Sequence, residues 1–385
     1  MKLLNFDVKS TSRKETYFCF MKPAPVLSLS PVVSDTCRVY LMLFKGNSSA
    51  FSKQLNLLLS FLIICYFSYG QTTGSANIPD SVSSNTHNEI QLIDPAIKKG
   101  LTPKQKKQRQ LLVAGINVAV YGGSLFILDR AWYKDEGKTS FHVFNDSKEW
   151  LQVDKVGHAW TAYTTGRVST ELWEWAGVPH KKAVWIGGLT GFVYLTGIEF
   201  LDAHSEKWGW SWGDIVANIT GSALFMSQEL IWKEQRIQFK FSFHINQYDD
   251  PQLEERADDL FGESFYERML KDYNAQTYWF SGNIRSFFPK SNWPAWLNIA
   301  VGYGADGMFG GFENKWEDEA GNEITRYDIP RKRQFYLAPD VDFTKIKTKS
   351  KFLKTTFTLL NSFKCPAPAL MIDSHGKFKA YALYF

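Results

Sequence analysis

Three apolar stretches of this chain carry residues able to do chemistry: Asp154-Lys155-Val156-Gly157-His158, then Glu199 with Asp202, then Asp214 with Asn218. Carboxylates in segments rich in Gly, Ala, Trp and Val are costly unless they are paired, hydrogen-bonded or bound to a metal. On a helix, Asp154 and His158 stand at i and i+4 and share a face, which Thr161 and Thr165 continue. Such a pair can hold a divalent metal, or the carboxylate can orient the imidazole as a general base. An ordinary solvated helix face is the competing reading. It suits Lys155, which is expected to point elsewhere, toward a phosphate or a neighbouring carboxylate. It suits His158 less, flanked as it is by Gly157, Ala159 and Trp160.

Glu199 ends a long apolar run, and burial there would raise its pKa and fit it for acid–base work. Asp202, followed by His204, Ser205 and Glu206, reads equally well as the exit into a loop. Ser211 to Asp214 fits a helix cap with the acidic residue three positions on, a structural role that needs no chemistry. Asn218 lies one turn further, with Gly221 on the same face, and a buried Asn would find partners in the opposite carboxylates. If these segments are packed helices, Asp154, His158, Glu199 and Asp214 form the expected catalytic or metal-ligating set. Lys155 and Asn218 are then expected at a phosphate or within the polar network.

The positioning elements follow from apolar patterning. Leu111 to Leu128 is a run of 18 residues without a charge, after the basic Lys104 to Gln110. Further helices are expected over Ser147 to Ala176, Lys181 to Ala203 and Ser211 to Gln235, with small residues that allow close approach. After Ile237 the pattern changes. Phe239 to Ile245 alternates as a strand, and Asp249 to Tyr273 reads as one charged surface helix. Leu297 to Tyr303 is expected to pair with Arg333 to Ile346. A hairpin is expected across Ser374-His375-Gly376, from Ala369–Ile372 to Phe378–Phe385. The expected fold class is mainly α: a bundle of about four helices with a smaller C-terminal region of mixed helix and short antiparallel strands. The expected divisions are a leader over 1–70, a polar linker over 71–104, a helical bundle domain over 105–235 and an α+β appendage over 236–385.

Bulk properties remove several function classes. The formal charge of +5 belongs to residues 1–70, which hold 8 Lys/Arg and 3 Asp/Glu; the remainder holds 36 of each. Nucleic-acid binding therefore loses its electrostatic support. Cys19, Cys37 and Cys65 lie in the leader and leave Cys365 alone after it, so neither an intramolecular disulfide nor a cysteine-based zinc site is expected.

Leu55 to Tyr69 is an uncharged apolar run after Lys45 and Lys53, and small residues with a Ser/Thr/Asn-rich stretch follow it. That is the layout of a secretory signal, too short for a comfortable spanning helix. Its distance from Met1 leads to the expectation that translation starts near Met42. N-terminal sequencing of the native protein is expected to find none of residues 1–41; recovering them would contradict this.

The order Asp-Lys-x-x-His, then an apolar helix ending in Glu, then Trp-Ser-x-Gly-Asp-x-x-x-Asn-x-x-Gly resembles the YfiM-type family of unknown function (DUF2279). It is similar above all to the longer form found in Bacteroidetes. It also shares Asp-Lys-x-x-His and Asp-x-x-x-Asn-x-x-Gly with the VanZ-like membrane proteins, although Glu199-Phe-Leu-Asp202 replaces their Glu-x-x-Gln. The resemblance covers roughly residues 105–235, with further likeness over Tyr327 to Ile346 and Pro366 to Leu370. It implies an envelope protein of a Gram-negative bacterium and assigns no activity. Three functions stay open: a structural or binding protein with a buried polar network, a metal-dependent hydrolase or transferase for a lipid-linked or phosphate-bearing substrate, and transport. Membrane or envelope lipid is the expected partner.

Overall fold

The computed structural model describes residues 100–132, 137–318 and 320–384. The expected leader, and the polar stretch up to residue 99, lie outside the described residues. Helix α1 (Pro103–Asn117) is capped by Thr102, whose hydroxyl and backbone exchange hydrogen bonds with Gln105. It continues through a π-helical turn, Val118–Gly122, into α2 (Gly123–Trp132). Helices α3 (Val153–Trp175), α4 (His180–Asp202) and α5 (Trp212–Ile231) pack against one another. Their approach is set by glycine. A Cβ on Gly191 would meet the Ala162 carbonyl at 2.5 Å, and one on Gly221 would collide with the carbonyl of Ala159. α3 therefore runs with its backbone against both neighbours, and side chains at their ends are brought together.

The expectation of a mainly α protein is overturned. Strands β1 (Ile237–Phe243), β2 (Gln276–Gly282), β3 (Leu297–Asp306), β6 (Lys332–Val341), β7 (Ala367–Asp373) and β8 (Phe378–Tyr384) form one antiparallel sheet. Its order is β1-β2-β3-β6-β7-β8, and β4 (Lys315–Glu317) with β5 (Glu323–Thr325) makes a separate ribbon. The sheet was underestimated because β2 was missed: Gln276-Thr-Tyr-Trp-Phe-Ser-Gly282 has three consecutive aromatic residues and so shows no period-two alternation of polar and apolar side chains. Without β2, β1 had no partner. The single helix expected over Asp249 to Tyr273 is two, α6 (Pro251–Phe261) and α7 (Phe265–Lys271), separated at Gly262 with φ 82°. Two further α-helices are α8 (Ile284–Phe287) and α9 (Lys351–Leu360), and 3-10 turns cover Glu149–Gln152 and Phe343–Lys345.

One core joins helices and strands. Tyr163 and Phe225 of the helices pack with Phe239, Phe241 and Tyr278 of β1 and β2. The sheet is also strongly curled. β2 and β8 are separated by three strands, so a flat sheet would hold them roughly 19 Å apart. Yet the hydroxyls of Thr277 and Tyr384 lie 2.9 Å apart, and the rings of Trp279 and Tyr384 are 6.0 Å apart. The enclosed side is polar as well as aromatic. Lys240 forms an ion pair with Asp340 at 2.7 Å, both side chains wholly inaccessible, and Ser281 donates to the same carboxylate at 2.6 Å. Asn298 donates to the Ser281 hydroxyl at 3.0 Å.

Removing one partner of a buried pair leaves an uncompensated charge, which costs about 3–5 kcal/mol. Asp340→Ala strands both Lys240 and the equally buried Lys364, 3.8 Å away, and is expected to lower the urea-unfolding free energy by at least that amount, whereas Lys240→Met, which leaves Asp340 with Lys364, is expected to cost clearly less. Equal losses would show that the pair is not what the enclosed side depends on.

Candidate functional site

α3 begins, α4 ends and α5 begins at one end of the helical layer, and the polar residues collect there. Asp154, Lys155 and His158 come from the first turns of α3, Glu199 from the last turn of α4, and Asp214 and Asn218 from the start of α5. Two helix N-termini favour carboxylates at this end. Glu199 lies instead at a C-terminus, where the helix dipole opposes its charge.

Of the two placements expected for Lys155, the structure shows the neighbouring carboxylates, with Asp154 itself among them. The Lys155 ammonium lies 2.7 Å from Asp146, 2.9 Å from Asp154 and 3.3 Å from Asp214, with 11% of its side chain accessible. Burial would lower the pKa of this ammonium, but the charges of Asp154 and Asp214 outweigh it and push it up. For Asp146, burial is opposed by the hydrogen bonds of Lys155 and Ser211, which hold its carboxyl below the usual range. Burial raises Asp154, and it raises Asp214 to about 6.

Asp146 and Ser211 were not in the expected set, although Ser211 had been read as a cap. The cap exists: the Ser211 hydroxyl accepts from the Asp214 amide at 3.0 Å. The same hydroxyl donates to Asp146 at 2.7 Å, which ties the cap to the cluster. In sequence, Asn145-Asp146-Ser147 has the composition of a turn, so no spacing signal marked it. Glu149, which fell inside the helix expected from Ser147, was missed as well. Burial, then the charges of Asp154 and Asp146, push it up to about 7.

The second half of the cluster has no lysine. His158 Nδ1 lies 3.2 Å from the Asn218 amide oxygen and 3.8 Å from Glu199 Oε1. Glu199 is 1% exposed, and its other oxygen accepts from the Ser211 amide at 3.3 Å. Burial, reinforced by Asp214 and Asp202, raises its pKa to about 9. The expected quartet of Asp154, His158, Glu199 and Asp214 is thus two triads that share Asp214. In His158–Glu199–Asp214 and in Asp146–Asp154–Asp214, one ligand atom per residue lies within 4.8 Å of the others. Lys155 serves the second triad. In the first triad Lys155 reaches Asp214 alone, and among the described residues Glu199 has His158 as its cationic neighbour; the buried Asn218 amide nitrogen makes no hydrogen bond.

The approach to α3 is strained. Trp150, Leu151 and Gln152 have φ of 46°, 50° and 66°, a left-handed turn that costs roughly 1–2 kcal/mol per residue. The expected helix start at Ser147 is displaced to Val153 for this reason. The strand region holds the turn: Gly311 accepts from the Trp150 amide at 2.7 Å, the Tyr303 hydroxyl donates to the Leu151 carbonyl, and Arg333 donates to Gln152 at 2.6 Å. Strain at the threshold of a charged cluster is the pattern of a functional site, because surrounding structure must maintain it.

Residues 140–228 match the family described as predicted periplasmic lipoprotein (DUF2279), and this segment contains every residue of the cluster. Among curated proteins and among solved structures, none matches the chain. The family description supports an exported location in the cell envelope.

With its folded pKa near 9 against 4.5 unfolded, Glu199 keeps its proton in the folded chain, so stability falls as pH rises from 4.5 toward 9. In chelator, Glu199→Gln is expected to match the wild type near pH 4 and to exceed it by a few kcal/mol near pH 8, read by urea unfolding. A wild type and variant that differ equally at both pH values would contradict the burial of a neutral Glu199.

Proposed function

We propose that this is a membrane-associated envelope protein whose helical end binds a divalent cation through His158, Glu199 and Asp214. The observation that carries the proposal is the unequal supply of positive charge. Asp146, Asp154 and Asp214 surround one ammonium, while Glu199 is buried and faces a single imidazole. One imidazole and two carboxylates are a donor set for zinc or manganese. Ligand atoms around a tetrahedral ion at about 2.1 Å stand roughly 3.4 Å apart, so the triad must contract by about an ångström to close on it. Asn218 turns its amide oxygen to His158 Nδ1 and fixes the ring; as the outer-shell partner of a ligating histidine it would hold Nδ1 and leave Nε2 to the ion. The asymmetry also assigns roles. Asp146 and Asp154 hold Lys155, Lys155 holds Asp214, and Asp214 is shared with the cation.

Two further observations bear on the reading. The stretch Pro103–Arg130 has the length and apolar composition of a membrane-crossing helix and is 11% buried, which supports association with lipid. His158, at 23% side-chain accessibility, is the most open member of its triad. That openness favours, as a second reading, a cation that presents water to a lipid-linked or phosphate-bearing substrate, in a hydrolase or transferase with Lys155 close to the phosphate.

Purified protein titrated with zinc or manganese is expected to bind one ion and to gain thermal stability. Glu199→Gln and His158→Ala are each expected to weaken binding by tenfold or more, on the order of 1.4 kcal/mol. Asp146→Asn, which leaves the triad intact, is expected to weaken it less. An unchanged melting temperature across both metals in the wild type would remove the cation and leave a buried polar network.

A further inference from the structure

The curled sheet encloses polar side chains among its aromatic and small ones and turns aliphatic side chains outward. On strands β2, β3 and β6 the enclosed positions hold Ser281, Asn298, Gln334 and Asp340, all buried, beside Trp279, Tyr336 and Ala338. The outward positions are apolar. Phe280, Val301, Leu337 and Leu370 are successive cross-strand partners and form one row over four strands. Phe335 and Ile372 pair in the next row, and all six are between 43% and 53% exposed. β1 and the near end of β2 have their outward side covered by α3 and α5; the rows beyond them are not covered among the described residues.

Two properties decide what covers this surface. Protein interfaces carry about one hydrogen bond per 100–200 Å². Here the outward side chains of both rows offer no free polar group: the Tyr303 hydroxyl at their edge is already engaged by Leu151, and the backbone is consumed by the sheet. The second property is the rim. The segment joining β2 to β3 carries exposed Phe287, Phe288 and Trp296 together with exposed Arg285 and Lys290, and the Phe287 ring meets Trp232 and the Arg236 guanidinium. Aromatic rings with cationic side chains at the limit of an apolar surface are the composition of a bilayer interface.

We infer that the outward face of the β2-β3-β6-β7 sheet rests on the acyl-chain boundary of a lipid bilayer. The contact is superficial: β8 is an edge strand, and its unpaired backbone groups must keep access to headgroups or water. The inference rests on the membrane association proposed above and is independent of the cation site. It gives the chain a second lipid contact besides Pro103–Arg130 and fixes the orientation of the helical end relative to the membrane.

The test is a polarity-sensitive fluorophore placed at Leu337→Cys or Ile372→Cys in the full chain with its four native cysteines replaced by serine. A label at Tyr327→Cys, 86% exposed and away from the sheet face, is the control. The probe surface is vesicles of phosphatidylethanolamine and phosphatidylglycerol, with and without nitroxide on the acyl chains. Labels at 337 and 372 are expected to shift to the blue and to be quenched about threefold or more over the control. Protein that floats with vesicles while both labels stay aqueous overturns the inference and leaves membrane association standing. Protein that does not float overturns both. A blue shift without lipid, accompanied by a doubled mass, assigns the face to a second copy and overturns the inference.

Discussion

Three aspartates share one end of the helical layer because a lysine ammonium stands within 3.3 Å of all of them. Without it, three carboxylates in such proximity could not ionise together, since like charges at this range in a buried setting push each other toward the neutral form. Lys155 therefore determines how far the starts of α3 and α5 can approach. That approach in turn needs Gly221 against the α3 backbone at Ala159, as the packing of α4 needs Gly191 against Ala162. What remains after Lys155 is satisfied is Glu199, with His158 beside it and Asp214 shared. The arrangement is a compensated half and an under-compensated half, and the proposed chemistry belongs to the second.

The helices were legible because apolar runs bounded by Gly, Pro and Ser mark helix limits directly; His180–Asp202 is read almost to the residue. The residues of the cluster on helices stood out for a related reason, as a carboxylate inside an apolar run is conspicuous. Asp146 did not stand out, because a loop that is polar by composition conceals a polar residue with a distant partner; nor did Glu149, inside the helix expected from Ser147. The orientation of Lys155 was illegible too. Spacing predicts a direction away from Asp154, but a long flexible side chain can curl back to an adjacent carboxylate. The left-handed turn at Trp150 to Gln152 has no sequence mark: none of the three is Gly, Asn or Asp. Its conformation is imposed by Gly311, Tyr303 and Arg333, each more than 150 residues away.

The same non-local logic explains the sheet. Reading strands by aliphatic alternation assumes that the apolar side faces the core, and here the enclosed side carries Lys240, Asp340, Ser281 and Asn298. β6 alternates, but its enclosed positions mix Gln334 and Asp340 with Tyr336 and Ala338, while Phe335 and Leu337 face outward. That mixture, together with the missed β2, is why a substantial sheet was read as a few short strands. It also means that the strand region has its own relation to the surroundings, while it fixes the threshold of α3 through the strained turn.

The central claim is that the under-compensated half of the cluster holds a cation. Anomalous diffraction from crystals soaked in manganese or zinc tests it most directly. One peak is expected inside the triangle of His158, Glu199 and Asp214, with Lys155 still seated among Asp146, Asp154 and Asp214. A peak between Asp146 and Asp154 with Lys155 displaced, or no peak at this end of the helices, would contradict it.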